Sequence, residues 1–220
     1  MKEILSLGGG IQSSTMVLMN LLGEIEPKAE CAIFSDTGWE RWITYRYLVW
    51  LKALCAEHGF KIYEASGGNI KDDLLQSKGH RDMIPAFTAT PNGTGMLKRQ
   101  CTGAYKIRPI RRKMRERFGF QKFRLWMGFS LDEIVRAAPS RVKYITHRFP
   151  LLEKRMRRGD CIQWLKKHKF PIPERSACVC CPYRSDDEWR RMKRGSPEEF
   201  SQACKIDESV HFSVYFENES

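Results

Sequence analysis

The chain has 220 residues, of which 42% are hydrophobic, and a formal net charge of +12. Such a composition supports one good core, which excludes a disordered chain and leaves little room for two ordinary domains. No apolar run approaches the roughly 18 residues of a membrane-spanning helix, and the N-terminus turns glycine-rich too soon for a secretory leader, so no membrane association and a cytoplasmic location are expected.

Residues 4–7 read as a short buried strand ending at Gly8-Gly9-Gly10, and residues 13–22 place Met16, Met19, Leu21 and Leu22 on a helical stripe. A second strand is expected over 29–34, broken by Ser35-Asp36-Thr37-Gly38, and then an aromatic-rich helix over 39–58 closed by Gly59. Residues 60–65 give a third strand. Two successive strand–turn–helix units predict an α/β fold with a parallel sheet. The glycine- and proline-rich stretch 66–104 reads as irregular and of functional type. Beyond it come a basic helix near 106–118, limited at its start by Pro109, a strand over 123–127, and a helix opening after Gly128. A strand over 142–146 and a helix over 155–168 follow, then a loop rich in proline and cysteine over 170–183, helical signals to about Cys204, and weak alternation over 210–216. The expected architecture is a single Rossmann-like α/β domain, its mostly parallel sheet flanked by helices, with a basic, cysteine-bearing C-terminal extension. Residues 1–150 would form the core, and 151–220 a helical region carrying the cysteine-rich loop.

The positive charge is concentrated. Residues 98–124 hold eleven basic side chains and one acidic, Glu116, and residues 141–169 hold ten basic and two acidic. Charge gathered this way is the footprint of a polyanion, with a plain solubilising surface as the alternative. Lys106, Arg111, Arg112, Arg115 and Arg117 are the candidates for contacting a nucleic-acid backbone, tRNA or DNA. Trp126 and Trp164 read as core residues rather than platforms for bases.

The eight cysteines separate into kinds. Cys31, Cys55 and Cys161 fall in apolar or helical patterns and read as small buried hydrophobes. Cys178, Cys180 and Cys181 lie within four residues, too crowded for packing, and point to a soft metal site.

Between the first strand and its helix, the Gly8–Ser14 turn can offer backbone N–H groups and a helix N-terminus to phosphate oxygens, with Ser13 and Ser14 adding hydroxyls. It is neither the dinucleotide fingerprint nor the P-loop, and three glycines can also be a simple bend. Asp36 stands at a strand's carboxyl end, where open parallel sheets bind ligands; it is a candidate ligand for Mg²⁺ or a ribose hydroxyl, or else part of a strand-end turn. Asp132 and Glu133 occupy the equivalent edge after a later strand, as catalytic candidates or as a favourable acidic start to a helix.

In this order the motifs resemble the sulfonucleotide (PAPS) reductase branch of the ATP pyrophosphatase, or adenine nucleotide alpha hydrolase-like, superfamily. The loop Ser-Gly-Gly-x-Asp-Ser is matched by Gly8-Gly9-Gly10-Ile11-Gln12-Ser13, with Gly8 in place of serine and Gln12 in place of aspartate. Asp36-Thr37-Gly38, Cys101-Thr102 with Lys106 and Pro109, Gly128 to Glu133, Phe149-Pro150-Leu151 and Cys178-Val179-Cys180-Cys181-Pro182 match the later motifs, so the likeness covers roughly residues 3 to 185.

The resemblance implies a [4Fe–4S] cluster held by two cysteine pairs. Here the first pair is reduced to Cys101 beside Thr102. Either Cys180 is the fourth ligand after Cys101, Cys178 and Cys181, or three thiolates leave one iron open; Zn²⁺ is the alternative metal. The nucleophilic cysteine segment of the reductases has no counterpart after Cys181, where Cys204 lies in Phe200-Ser-Gln-Ala-Cys204-Lys, so simple PAPS reduction is not the leading expectation. The leading expectation is ATP-dependent, Mg²⁺-assisted sulfur transfer, adenylation then thiolation, on a nucleic acid or nucleotide. Gly8, Gly9, Gly10, Gln12, Ser13, Ser14 and Asp36 would hold the nucleotide, and a sulfur donor protein or small thiol would serve as partner, with a homodimer or larger assembly completing the site. Phosphoadenosine or adenosine phosphosulfate reduction and a non-catalytic nucleic-acid adaptor are the alternatives.

Overall fold

The computed structural model describes residues 1–76, 84–85, 87–90, 93–96 and 100–216. Its strands there are β1 (Lys2–Leu7), β2 (Cys31–Asp36), β3 (Lys61–Ser66), β4 (Phe87–Thr90), β5 (Gly93–Met96), β6 (Phe123–Trp126) and β7 (Ile145–Arg148). Five of them form one sheet in the order β3-β2-β1-β6-β7 with every pair parallel, while β4 and β5 make a separate antiparallel hairpin. The helices are α1 (Ile11–Leu21), α2 (Trp42–Glu57), α3 (Ile70–Gln76), α4 (Arg108–Phe118), α5 (Pro150–Glu153), α6 (Arg158–Lys167), α7 (Asp186–Gly195) and α8 (Pro197–Phe216). A π-helical turn, Thr102–Ile107, runs into α4, and a 3-10 segment spans Leu131–Arg136.

Strand periodicity assigns the two faces of the sheet. Leu5, Leu7, Ala32, Phe34 and Trp126 pack with Met16 and Val17 of α1, Leu48, Leu51 and Cys55 of α2, and Cys161 and Leu165 of α6. Ile4, Cys31, Ile33, Phe123, Leu125 and Ile145 point the other way, onto Ile110 and Met114 of α4. The apolar readings of Cys31, Cys55, Cys161 and Trp126 hold, since all four are buried. Trp164 packs at the edge of the first cluster, and its indole donates to Glu24 Oε2 at 3.0 Å. Each fully buried Leu, Ile or Phe contributes about 1.5–3 kcal/mol, so the loops at the sheet's carboxyl edge stand on the best-buried part of the protein. Although α6 lies beyond residue 150, it packs directly on α1.

The chain moves from β1 to β2 on one side, and β6 lies on the other. The carboxyl ends of β1 and β6 therefore flank the point where the winding reverses, the usual ligand crevice of an open parallel sheet.

Several local expectations shift. The helix read over 39–58 starts at Trp42, because Trp39 and Glu40 are drawn into backbone pairing with the cysteine loop. The strand read over 142–146 begins at Ile145; Val142 N donates to Ser140 Oγ at 3.1 Å and Ile145 N to Val142 O at 3.0 Å, which makes 142–145 a turn. The helix expected after Gly128 is the 3-10 segment, interrupted at Glu133, where φ is −119°. The weak alternation over 210–216 is the continuation of α8, whose Pro197-Glu198-Glu199 opening sets a helix before any strand can form. Within the stretch read as irregular, α3 and the hairpin form; Gly79, Pro91, Lys98 and Arg99 lie outside the described residues.

Candidate active site

The glycine turn has the backbone geometry that could receive an anion. Gly9 has φ +74°, and a Cβ there would meet Thr44 Cγ2 at 3.3 Å, so glycine is required by conformation and by space. Gly10 is the N-cap of α1 and supplies no side-chain cap, and the first turn of α1 has no acidic residue. The helix therefore presents uncapped N–H groups and its positive end to the crevice. Ser13 Oγ donates to Gly10 O at 3.2 Å and accepts from Gly8 N at the same distance, which fixes the curl of the turn. Ser14 differs: its side chain is fully buried and lies within reach of the buried Tyr47 hydroxyl, and neither hydroxyl has another partner among the described residues.

The loop after β6 meets this turn from the side. Gly128 is so close that a Cβ would stand 3.1 Å from Ser13 N. Gln12 Nε2 donates to Glu133 Oε2 at 3.0 Å, and Glu133 also pairs with Arg136. Asp132 has a different placement. Its Oδ2 accepts from Arg158 N at 2.6 Å and from Ser130 Oγ at 3.3 Å, so the carboxylate caps α6; the Arg158 amide, first among its partners, holds its pKa below the usual carboxylate value. Of the two acids, Glu133 faces the glycine turn and Asp132 anchors the next helix.

Asp36 ends β2. Its Oδ1 accepts from Gly38 N at 2.8 Å and from the Tyr45 hydroxyl at 2.7 Å, while Oδ2 has no protein partner among the described residues. Burial, followed by the Asp36 hydrogen bond, raises the Tyr45 phenol, so it stays a donor. Immediately after Asp36, the chain is stitched to the late cysteine loop. Glu40 and Cys178 form an antiparallel bridge, Val179 N donates to Trp39 O at 3.0 Å, and Cys178 Sγ donates to Thr37 Oγ1 at 3.2 Å. The Glu40 side chain, with no exposure, accepts from Lys106 Nζ at 3.1 Å and from Ser176 Oγ at 3.3 Å. Ser176 in turn lies against Gly10, whose Cβ would be 3.8 Å from Ser176 Cβ. The loops after β1 and β2, the π-helical turn and the cysteine loop thus converge on one place.

Cys101 caps the π-helical turn and packs with Cys178 against the same apolar cluster as Cys180, beside Trp39, Tyr105 and Val179. Burial pushes the Cys178 thiol up to about 12, Glu40 adds to that, and Lys106 and Thr37 oppose it. Cys180 is raised as well, first by burial and then by Cys178 and Cys181, with Cys101 also within electrostatic reach. Burial pulls Lys106 down, but Glu40 and the sulfurs of Cys178 and Cys181 outweigh it and hold the ammonium above its ordinary value. Among the described residues, no three His, Cys, Asp or Glu side chains are already set in a metal-binding arrangement. The donor chemistry nonetheless suits a soft cation: four thiols gather in one partly dry place, and a metal's charge would lower the pKa values that burial has raised.

The basic residues divide. Lys106 turns inward to Glu40, whereas Arg111, Arg112 and Arg115 lie along α4. Arg112 donates to Ser66 O, and the Arg115 guanidinium sits 4.5 Å from the Tyr144 ring centroid. Sequence reasoning missed Thr37, Glu40, Ser176 and two buried arginines. Arg41 ties Glu174, Glu199 and Ser196 together, and Arg184 Nη2 donates to Ala177 O at 2.7 Å and Cys178 O at 3.0 Å. The adjoining motifs carried the only signal: Arg41 follows Asp-Thr-Gly closely and Arg184 follows Cys181-Pro182. Among the described residues no helix is long and apolar enough to cross a membrane.

No family model and no curated protein matches the chain by sequence. Solved structures do match in fold. A PAPS reductase from Candida auris, in a phosphate complex, aligns with a TM-score of 0.51 at 13% identity, over 79% of this chain and 76% of that one. The U34-tRNA thiolase NcsA from Methanococcus maripaludis, with its [4Fe–4S] cluster, aligns with a TM-score of 0.50 at 16% identity, over 96% of this chain and 72% of that one. The chain has the fold shared by this PAPS reductase and this tRNA thiolase, with a five-stranded parallel sheet.

Proposed function

We propose that the chain catalyses ATP-dependent sulfur transfer to a nucleic acid, tRNA or DNA, or to a nucleotide. The observation that carries this reading is a single junction: Gly10 of the anion-receiving turn lies against Ser176, and Cys178, two residues on, rests on Thr37 next to Asp36. A nucleotide on the turn and a sulfur-handling group at the cysteines would then share one crevice.

In the first half-reaction an oxygen of the substrate attacks the α-phosphorus of ATP, the bond to the β-phosphate breaks, and pyrophosphate leaves. The N–H groups of the glycine turn and the first turn of α1 hold the departing phosphates and stabilise the charge that develops there. Asp36 Oδ2 is the oxygen offered to Mg²⁺, kept in place by the bonds on Oδ1. Glu133 orients Gln12 at the rim. In the second half-reaction, sulfur at the sulfide level forms a bond to the activated carbon, the carbon–oxygen bond breaks, and AMP leaves with the substrate's former oxygen. No net oxidation or reduction is required. A cluster on Cys101, Cys178 and Cys181, with Cys180 as the fourth ligand or one iron open, would supply a soft site for sulfur. Lys106, held by Glu40 beside Cys178, offsets negative charge at that place. Zn²⁺ on the same thiolates would instead be structural.

Anaerobic reconstitution followed by AMP and pyrophosphate assays tests the reading. Turnover stimulated by tRNA or DNA and lost in Cys178→Ser is the expected result. Sulfite release from PAPS with a thiol reductant and no ATP would overturn it in favour of the reductase.

A further inference from the structure

A cavity of about 200 Å³ opens beside the cysteine loop, and Arg41, Arg158, Arg175, Arg184 and Arg191 are among the residues that line it. Two carboxylates, Glu174 and Glu188, share it. Arg41 is neutralised by Glu174 and Glu199, and Arg175 pairs with Glu188 at 2.8 Å. Three cations remain. The side chains of Arg158 and Arg191 are exposed and make no hydrogen bond or ion pair among the described residues. Arg184 is only 7% exposed, and its Nε is buried without an acceptor. A buried charged donor left unsatisfied is costly. Nothing in the adenylation chemistry uses this group.

We propose that the cavity is a phosphate subsite, seating a backbone phosphodiester of the nucleic-acid substrate next to the cysteine loop. A tetrahedral oxyanion presents several acceptors at once, which suits a cavity lined by five arginines of which Arg158 and Arg191 carry no counter-charge among the described residues. The cavity's walls come from the loop after β2, the start of α6, the segment preceding the cysteines and α7, so a phosphate there would brace the parts that frame Cys178. The nucleic-acid identity of the ligand rests on the proposed function; the phosphate chemistry does not.

The test uses the full chain and the double variant Arg158→Gln/Arg191→Gln, which leaves Arg184 and its bonds to the cysteine loop intact. Calorimetric titration with inorganic phosphate is expected to show affinity weakened roughly tenfold in the variant. Titration with tRNA across a salt series is expected to show a slope smaller by about one in the double variant, because one phosphate contact is lost. A weakened phosphate titration with an unchanged tRNA slope would support the oxyanion site but transfer it to a free nucleotide phosphate. Phosphate affinity unchanged in the variant would overturn the site altogether. Failure of ATP turnover while the arginine-dependent phosphate binding persists would sink the adenylation reading and leave the subsite standing.

Discussion

Cys178 Sγ donates to Thr37 Oγ1 across 3.2 Å, joining residues 141 positions apart in sequence. That contact locks the late cysteine loop to the strand end carrying Asp36, and Cys101 packs into the same cluster from the π-helical turn. Cys101→Ser and Cys178→Ser are each expected to lower the iron bound after anaerobic reconstitution by roughly tenfold or more. Cys180→Ala separates the two ligand sets: iron close to that of the unmodified chain means three thiolates and an open iron, and a loss like that of Cys178→Ser means Cys180 is the fourth ligand. Iron and sulfide analysis with the visible spectrum checks this; equal iron in Cys178→Ser and the unmodified chain would remove Cys178 from the ligand set.

Glu40 accepts from Lys106 and Ser176 with no side-chain exposure, while 32% of the Lys106 side chain is exposed. Glu40→Gln keeps the shape but leaves the ammonium unpaired beside the cysteine loop. The expected loss is about 2–3 kcal/mol, under the value for a fully buried pair because solvent reaches Lys106. Urea unfolding measures it, and a loss below about 0.5 kcal/mol would show that the pair does not hold the two loops together.

The strand ends were readable because their chemistry is local. Glycines, a carboxylate and a turn placed Gly8–Gly10, Asp36 and Gly128 at carboxyl edges, and alternation along β1, β2 and β6 sorted the sheet faces. What escaped was non-local. Glu40 and Lys106 meet across 66 positions, and no periodicity links them; Glu40 alone reads as an ordinary acidic residue near a helix start. Asp132 was legible as an acid at the right edge but not as the cap of α6, since its partner, the Arg158 amide, belongs to a helix whose packing on α1 only the fold reveals. The π-helical turn had no signal of its own, and its effect is to turn Lys106 inward, away from the arginines of α4.

Asp132 and Glu133 should separate by experiment. Asp132→Asn removes the charged acceptor at Arg158 N, so the melting temperature should fall by a few degrees while turnover persists in the folded protein. Glu133→Gln should leave stability nearly unchanged but raise the KM for ATP, because it disturbs Gln12 at the turn. The native Asp132 pKa is lowered, so its stabilising effect is present above the ordinary carboxylate pKa and is lost as pH falls through the lowered value. In Asp132→Asn that acid-side dependence should flatten. Loss of turnover in folded Asp132→Asn would assign the residue a catalytic role beyond capping α6.

Three thiols outside the site set an alkaline limit. Burial raises Cys31 and Cys55 from 9.0 to about 12, and Cys161 from 9.0 to about 11. Below pH 9 both folded and unfolded chains keep these protons, and the thiols cause no pH dependence. As pH rises from 9 toward 11 and 12, the unfolded chain releases protons that the folded chain retains, so stability falls. Urea midpoints at pH 8 and pH 10.5 should therefore differ, and Cys55→Ala should reduce the difference. Rapid alkylation of Cys31, Cys55 or Cys161 in the folded protein at pH 8 would contradict their burial.

Gly128 and Gly10 offer the sharpest comparison at the glycine turn. A methyl group at Gly128 would stand 3.1 Å from Ser13 N and 3.2 Å from Ser13 Cα, backbone atoms that cannot swing aside. At Gly10 the nearest atoms, on Ser176, are 3.8 Å away, an ordinary contact. Gly128→Ala should cost about 1–3 kcal/mol by overpacking and push the turn away from β6. Gly10→Ala should cost less, about 1 kcal/mol or under, from the poorer N-cap alone. Both should weaken ATP binding, the first by displacing the turn and the second by placing a methyl group where the phosphates approach its N–H groups. Calorimetry with ATP alongside urea unfolding separates these effects. Full ATP affinity in stably folded Gly10→Ala would show that the nucleotide does not rest on this turn, and the adenylation chemistry would have to be placed elsewhere in the crevice.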